Sequence, residues 1–300
     1  MSMRMIIAGI FVRLTAKPHM TSLERARAWI NAPKGSATPP KTVSRRHKID
    51  HESVNGFSCY TVTPKDRPNG RVAVYLHGGA YVNEITRRHW TFASQIADAG
   101  VKVVVPIYGL APRYTHREAY ELLSAVYTEL VAPHAEPTDV VVIGDSAGGG
   151  LALGFLQELT KLQLPQPGRS ILIAPWLDLT LSNPGISTIR DPWLSKIGLV
   201  EAGKAWAGDD DPSDPRLSPV NGSLRGLAPI DIYIGTRDLT LPDVLKLGDR
   251  APDEGEISIT VCPKAIHVYH LVPSPEGRAA AREIVTAVAS RRSHRNDEVR

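Results

Sequence analysis

Val140-Val141-Val142-Ile143-Gly144-Asp145-Ser146-Ala147-Gly148 is the stretch on which the fold turns. Its first four residues are uniformly apolar, so they read as a short strand covered on both faces. A helical pattern runs out over 147–164 and stops at Pro165. Between them stands Gly144-x-Ser146-x-Gly148. A strand that turns straight into a helix at such a pentapeptide forces the serine into a strained turn and lifts its hydroxyl to the sheet edge. The flanking glycines let neighbouring backbone approach without a Cβ in the way. The helix N-terminus adds partial positive charge beside the hydroxyl. The pentapeptide alone also fits a glycine-rich turn that merely opens a helix. The correct flank on each side makes Ser146 the candidate nucleophile.

Outward from this stretch the same alternation repeats. Apolar runs at 72–76, 101–107, 171–173, 230–234 and 257–261 read as strands. Helical patterns at 90–99, 116–131 and 276–292 fall outside them. The pattern predicts an α/β fold with a mostly parallel central sheet and helices on both faces. Residues 45–52 and 56–63 read as a hairpin about Asn55-Gly56. Segment 176–228 interrupts the alternation with Pro, Gly and Asp, is helix-like only at 199–207, and reads as an insertion of the kind that forms a lid. A chain of 300 residues buries enough apolar surface to need no disulfide or metal staple. One domain over 1–300 is expected, with a helical cap from 1–40 and 176–228 and a disordered tail at 291–300.

Charge and cysteine usage narrow the function. Much of the net charge of +4 sits in Arg291-Arg292-Ser293-His294-Arg295, so no nucleic-acid partner is expected. Cys59 and Cys262, the only cysteines, lie in apolar alternating runs and read as buried strand thiols. They support neither a zinc or redox site nor a disulfide framework, which favours a reducing, cytoplasmic location. The apolar run Met5 to Val12 has no clean cleavage site after it and is too short for a stable membrane span. An amphipathic helix packed on the body is expected there, with a peripheral association of this apolar run as the alternative.

A second motif, His77-Gly78-Gly79-Ala80-Tyr81, follows the strand at 72–76. Backbone N–H groups in a glycine-rich loop here, with the N–H of the residue after the serine, can hold the oxyanion of a tetrahedral intermediate. Gly78, Gly79, Ala80 and Ala147 are the candidate donors. A lone HGG also fits a tight turn, and the His77 side chain reads as a structural group bonded to backbone. The two motifs in this order are far more specific than either alone.

At these residues the chain resembles the hormone-sensitive-lipase-like (bacterial family IV) α/β-hydrolases, a family of carboxylesterases and acetyl hydrolases. Leu110-Ala111-Pro112, Ala174-Pro175-Trp176-Leu177-Asp178-Leu179-Thr180, Asp214-Pro215 with Ser218-Pro219, and Gly226-Leu227-Ala228-Pro229 also resemble family segments. The match covers about residues 45–290. Departures are Ala80 in place of a third glycine, Gly109 after Tyr108, and Arg113 where the family carries an acid. They bear on a local ion-pair network, not on the chemistry. The resemblance implies Gly79, Ala80 and Ala147 as the donors in place.

The triad order in this fold is serine, acid, histidine. Asp238 stands at the C-terminal end of the strand at 230–234, where the resemblance also places the acid. Its rival Asp243 fits the first turn of the next helix, where a carboxylate offsets the dipole. Asp145 points the wrong way along the elbow, and Asp178 and Asp191 read as caps or loop residues. Two histidines follow the strand at 257–261. His267 lies within reach of a short loop that starts near Cys262-Pro263, and the family's histidine precedes an apolar or aromatic pair such as Val268-Tyr269. His270 is the alternative, otherwise a rim or surface group.

The expected activity is hydrolysis of a small-molecule ester with a short acyl group, with no metal and no organic cofactor. An N- or O-acetyl hydrolase acting on a natural product is the alternative within enzymes. A binding protein on an inactive hydrolase fold is the alternative outside them. A homodimer is compatible with all three.

Overall fold

The computed structural model describes residues 1–131 and 136–291. Three helices precede the sheet: α1 (Met3–Thr15), α2 (Leu23–Ile30) and α3 (Lys41–Arg46). Strands β1 (Lys48–Val54) and β2 (Phe57–Thr63) form the expected hairpin, and Asn55 and Gly56 both take positive φ at its turn. Strand and helix then alternate: β3 (Val72–Leu76), α4 (Arg87–Asp98), β4 (Lys102–Pro106), α5 (His116–Val131), β5 (Val140–Asp145), α6 (Ala147–Lys161) and β6 (Arg169–Ile173). The insertion carries α7 (Lys196–Ala207). The chain closes with β7 (Ile230–Arg237), α8 (Leu241–Glu254), β8 (Ile257–Ile266) and α9 (Pro275–Ala289). All but the first residue of the expected tail, 292–300, lies outside the described residues.

The eight strands form one sheet in the order β1-β2-β4-β3-β5-β6-β7-β8. The pairs β1/β2 and β2/β4 are antiparallel and the rest parallel. Successive strand residues face opposite layers. Val72, Val74 and Leu76 pack with residues of α5, α6, α7 and α8. Ala73 and Tyr75 pack with residues of α4 and α9.

Register is what brings the strand ends together. Leu76 pairs with Gly144, so the chain leaving β3 runs beside the turn leaving β5. At the far edge β7 and β8 pair regularly from Ile230↔Ile257 to Gly235↔Cys262, an offset of 27 residues. A bulge then widens the offset to 29 at Arg237↔Ile266. Lys264 takes φ +62° within it, and its N–H donates to Thr236 Oγ1 at 2.7 Å. The residues that follow the last pair are Asp238 and His267.

Two boundaries differ from the sequence expectation. Residues 41–46 are helical, so the first strand starts at Lys48 and not at 45. Pro40 opens that helix and Arg45-Arg46 close it, where cations suit the negative end of the dipole. β8 runs through Pro263 to Ile266, where a loop was expected to begin. An edge strand tolerates proline because one of its sides needs no ladder partner. Edge position also leaves Cys262 half-buried, whereas Cys59 is buried as expected.

The N-terminal helix forms, but it packs by a narrow face. Met5 and Gly9 are buried, and a Cβ on Gly9 would touch Pro192, Arg237 and Ile266. Met3, Ile7, Ile10, Phe11 and Leu14 face outward. Among the described residues no helix is long and apolar enough to cross a membrane.

Candidate active site

Ser146 caps α6 with φ +54° and ψ −120°, a left-handed conformation that costs a non-glycine residue about 1–3 kcal/mol. The sheet holds it there. Its N–H donates to Ile173 O at 2.9 Å, and its carbonyl accepts from Trp176 N at 2.9 Å. The flanking glycines answer to space. A Cβ on Gly144 would lie 2.2 Å from Gly148 O, and one on Gly148 would lie 2.0 Å from Leu76 O.

The Ser146 hydroxyl lies 2.7 Å from His267 Nε2, and His267 Nδ1 lies 2.9 Å from Asp238 Oδ2. A carboxylate only accepts, so Nδ1 carries the proton and Nε2 is free to accept from the hydroxyl. The other Asp238 oxygen accepts from the Thr240 N–H and Thr240 Oγ1, each at 3.0 Å. Asp238 is fully buried and His267 is 2% exposed. Burial alone would lower the His267 pKa. The adjacent Asp238 charge and hydrogen bond, with Asp191 and Asp145 further out, outweigh it, and the net direction is upward.

The loop after β3 presses against this serine. A Cβ on Gly78 would meet Asp145 Oδ2 at 2.5 Å and the Ser146 Cβ at 2.9 Å. Gly79, Ala80 and Tyr81 all take positive φ, which turns the loop across the mouth of the elbow. Ala147 is the first residue of α6, directly after Ser146. The His77 ring bonds to Gly78 O at 2.8 Å and stacks on Tyr108 at 4.6 Å, the structural part expected of it.

The rival residues lie elsewhere. Asp243 sits in the first turn of α8 and accepts from Asn183 Nδ2 at 3.0 Å. Asp145 turns away from His267, accepting from Tyr75 Oη at 2.7 Å, with His89 Nε2 at 3.4 Å. Asp178 accepts from Thr180 and Ser182 within its own loop. His270 is neither at a rim nor on the surface: it is buried edge-on to Phe92 at 4.8 Å, and burial lowers its pKa to about 4.

Sequence reasoning missed Asp191 as a neighbour of the site. It is buried, and its Oδ2 accepts from the N–H of Leu239, the residue after Asp238, at 2.8 Å. Its Oδ1 accepts from Trp193 N and Leu194 N at 2.6 and 2.9 Å, which aims the Trp193 ring edge-on at His267, 5.7 Å away. Burial and then the Asp238 charge push its pKa up to about 6. The only sequence signal was an aspartate two residues before a tryptophan.

Three carboxylates around one imidazole have a measurable consequence. The acid limb of kcat/KM is expected above the ordinary histidine value of ~6.5, because the protonated ring is favoured. Asp191→Asn removes one favouring charge, so the limb is expected to move down. A pH–rate profile on a soluble ester checks both; an unmoved limb in the variant would take Asp191 out of the electrostatics of this histidine.

Residues 73–271 match the family described as alpha/beta hydrolase fold. An acetyl-hydrolase of Streptomyces hygroscopicus is 32% identical over 220 residues, 71% of this chain and 74% of that protein. A triacylglycerol lipase of Mycobacterium tuberculosis is 31% identical over 79% of this chain and 51% of its own length. Among solved structures, an esterase from the bacterial hormone-sensitive lipase family superposes with a TM-score of 0.82 at 25% identity, covering 97% of this chain and 99% of that one.

Proposed function

The chain belongs to the α/β-hydrolase family as a carboxylic ester hydrolase, and from that premise we propose that it cleaves short-acyl esters through an acyl-enzyme on Ser146. The observation that carries this reading is the unbroken chain from the Ser146 hydroxyl through His267 to buried Asp238. Ser146 Oγ attacks the ester carbonyl carbon while Nε2 of His267 takes its proton. Asp238 holds the ring in the tautomer this requires and stabilises the imidazolium. The carbonyl oxygen becomes an oxyanion, for which the N–H groups of Gly79, Ala80 and Ala147 are the proposed donors. Collapse breaks the bond to the alcohol, which leaves with the proton from Nε2. Water then attacks the acyl-enzyme by the same relay, releasing the carboxylic acid and free serine. No step calls on a metal or organic cofactor.

The single domain is proposed to carry a cap from residues 1–40 and 176–228. In support, a Cβ on Gly198 of α7 would press on Met20, Arg27 of α2 pairs with Glu201 of α7 at 3.2 Å, and Trp29 Nε1 donates to Asn83 Oδ1 at 3.2 Å beside the loop after β3. The cytoplasmic setting, the absence of a nucleic-acid partner and a homodimer remain part of this proposal.

Short acyl groups fit a histidine that is 2% exposed with a tryptophan edge against it better than long chains do. In an acyl-chain series of p-nitrophenyl esters, kcat/KM is expected to peak at acetyl to butyryl. Faster turnover of emulsified long-chain triglycerides would overturn it. The Streptomyces relative's name favours a second reading, an N- or O-acetyl hydrolase of a natural product. Acetamides in the same series separate it from a plain esterase. Labelling by a fluorophosphonate excludes a binding protein on an inactive fold.

A further inference from the structure

Six of the eleven large apolar side chains exposed among the described residues lie within the first fourteen: Met1, Met3, Ile7, Ile10, Phe11 and Leu14. Scattered singly such residues need no explanation, but gathered they mark an interaction surface. Five of them are on α1, at spacings of three, four and seven residues that put them along one stripe, and they are 54–71% exposed.

The stripe belongs to a helix that is tied down. Met5 and Gly9 are buried on its opposite side. The Ser2 hydroxyl accepts from the Met5 N–H and donates to Glu276 of α9 at 2.6 Å, and the Ser2 N–H also donates to that carboxylate. Beyond its C-terminus, Lys17 Nζ donates to Asp191 O at 2.5 Å. The apolar face is therefore held outward at a fixed orientation.

Charge selects the occupant. Arg4 and Arg13 flank the stripe, both exposed, and no aspartate or glutamate occurs before Glu24. A second copy laid face to face would bring two sets of arginines together with no acid in either helix to balance them. A convex helix also offers no groove for a peptide. An apolar stripe edged by cations matches a bilayer surface rich in anionic lipid, with the apolar side chains entering between the headgroups.

We propose that α1 docks this protein on anionic membrane surfaces, lying in the plane of the interface without crossing it. Gly9 packs against Pro192 and Ile266, the neighbours of Asp191 and His267, so docking brings this side of the site close to the lipid. The binding claim stands independently of the ester reading.

The test is flotation of the full chain with phosphatidylcholine vesicles, with and without about a third phosphatidylglycerol. Strong flotation with the anionic vesicles, weak flotation with the neutral ones and release by high salt are expected. Phe11→Glu with Leu14→Glu is expected to lower partitioning more than tenfold, and Arg4→Gln with Arg13→Gln to reduce it to the neutral-vesicle level. Hydrolysis of a soluble p-nitrophenyl ester without vesicles should be unchanged in both variants, which shows that the fold survives. A wild type that stays with the unbound fraction overturns the proposal. So does flotation unaffected by either pair, or a dimer in sedimentation that the Phe11→Glu/Leu14→Glu variant splits.

Discussion

Ser146→Ala is expected to lower kcat by about a millionfold, leaving only residual turnover from substrate binding and the oxyanion donors. The change removes one oxygen and leaves the Cβ in place, so the elbow keeps its shape. The loss in stability is limited to one hydrogen bond to His267, about 0.5–1.5 kcal/mol. The strained φ of +54° is as accessible to alanine as to serine, so nothing in the turn has to move. Two measurements check this. Steady-state hydrolysis of a short-acyl ester should fall to near background, and covalent labelling by a fluorophosphonate should disappear while the melting temperature stays close to that of the wild type. A Ser146→Ala protein that still labels would move the nucleophile to another residue.

The second large effect separates two histidines three residues apart. His267→Ala is expected to cut kcat by several orders of magnitude and to slow fluorophosphonate labelling, because among the described residues no other imidazole lies on the serine. It also strands Asp238, a fully buried carboxylate, so about 3–5 kcal/mol of stability is at risk. Asp238→Asn is the companion variant: it keeps the packing, leaves the ring in the wrong tautomer, and should cost about 10⁴ in kcat. His270→Ala behaves in the opposite way. Emptying a ring position against Phe92 costs about 3 kcal/mol of stability, yet kcat well below the melting temperature should stay near wild type. Rate and stability measured together on the three variants give each histidine its part. A dead His270→Ala with an active His267→Ala would reverse the assignment.

Much of the fold was legible in the sequence because the inner strands are buried on both faces. Runs such as Val72 to Leu76 and Val140 to Ile143 then carry no polar residue to blur them. Ser146, Asp238 and the glycine loop were legible as candidates because each lies within four residues of the end of a strand-like run, and in this kind of sheet chemistry gathers at the C-terminal strand ends. The edge was harder. β8 alternates exposed and half-buried residues, holds a proline and contains a bulge, and each of these imitates the onset of a loop. His267 was named by loop reach, while the structure brings it beside Asp238 by a two-residue slip in strand pairing. Asp191 and Trp193 left only a faint trace, because the insertion has no period and their contacts span about fifty to seventy residues of chain. His270 misled in a similar way: expected at a rim or on the surface, it is buried edge-on to Phe92.

Tyr81 directly follows the proposed oxyanion donors. Its hydroxyl donates to Ala147 O at 2.8 Å, and its ring lies flat on Trp206 of α7 with centroids 4.3 Å apart. One aromatic side chain thus ties the donor loop, the start of the nucleophile helix and the insertion helix into a single stack. Engineering this enzyme for bulkier substrates by opening α7 at Trp206 therefore slackens the loop proposed to hold the oxyanion, where rigidity matters as charge develops. Breadth of substrate and speed of turnover trade against each other through that stack, and a variant library there should yield generalists only among the slow enzymes.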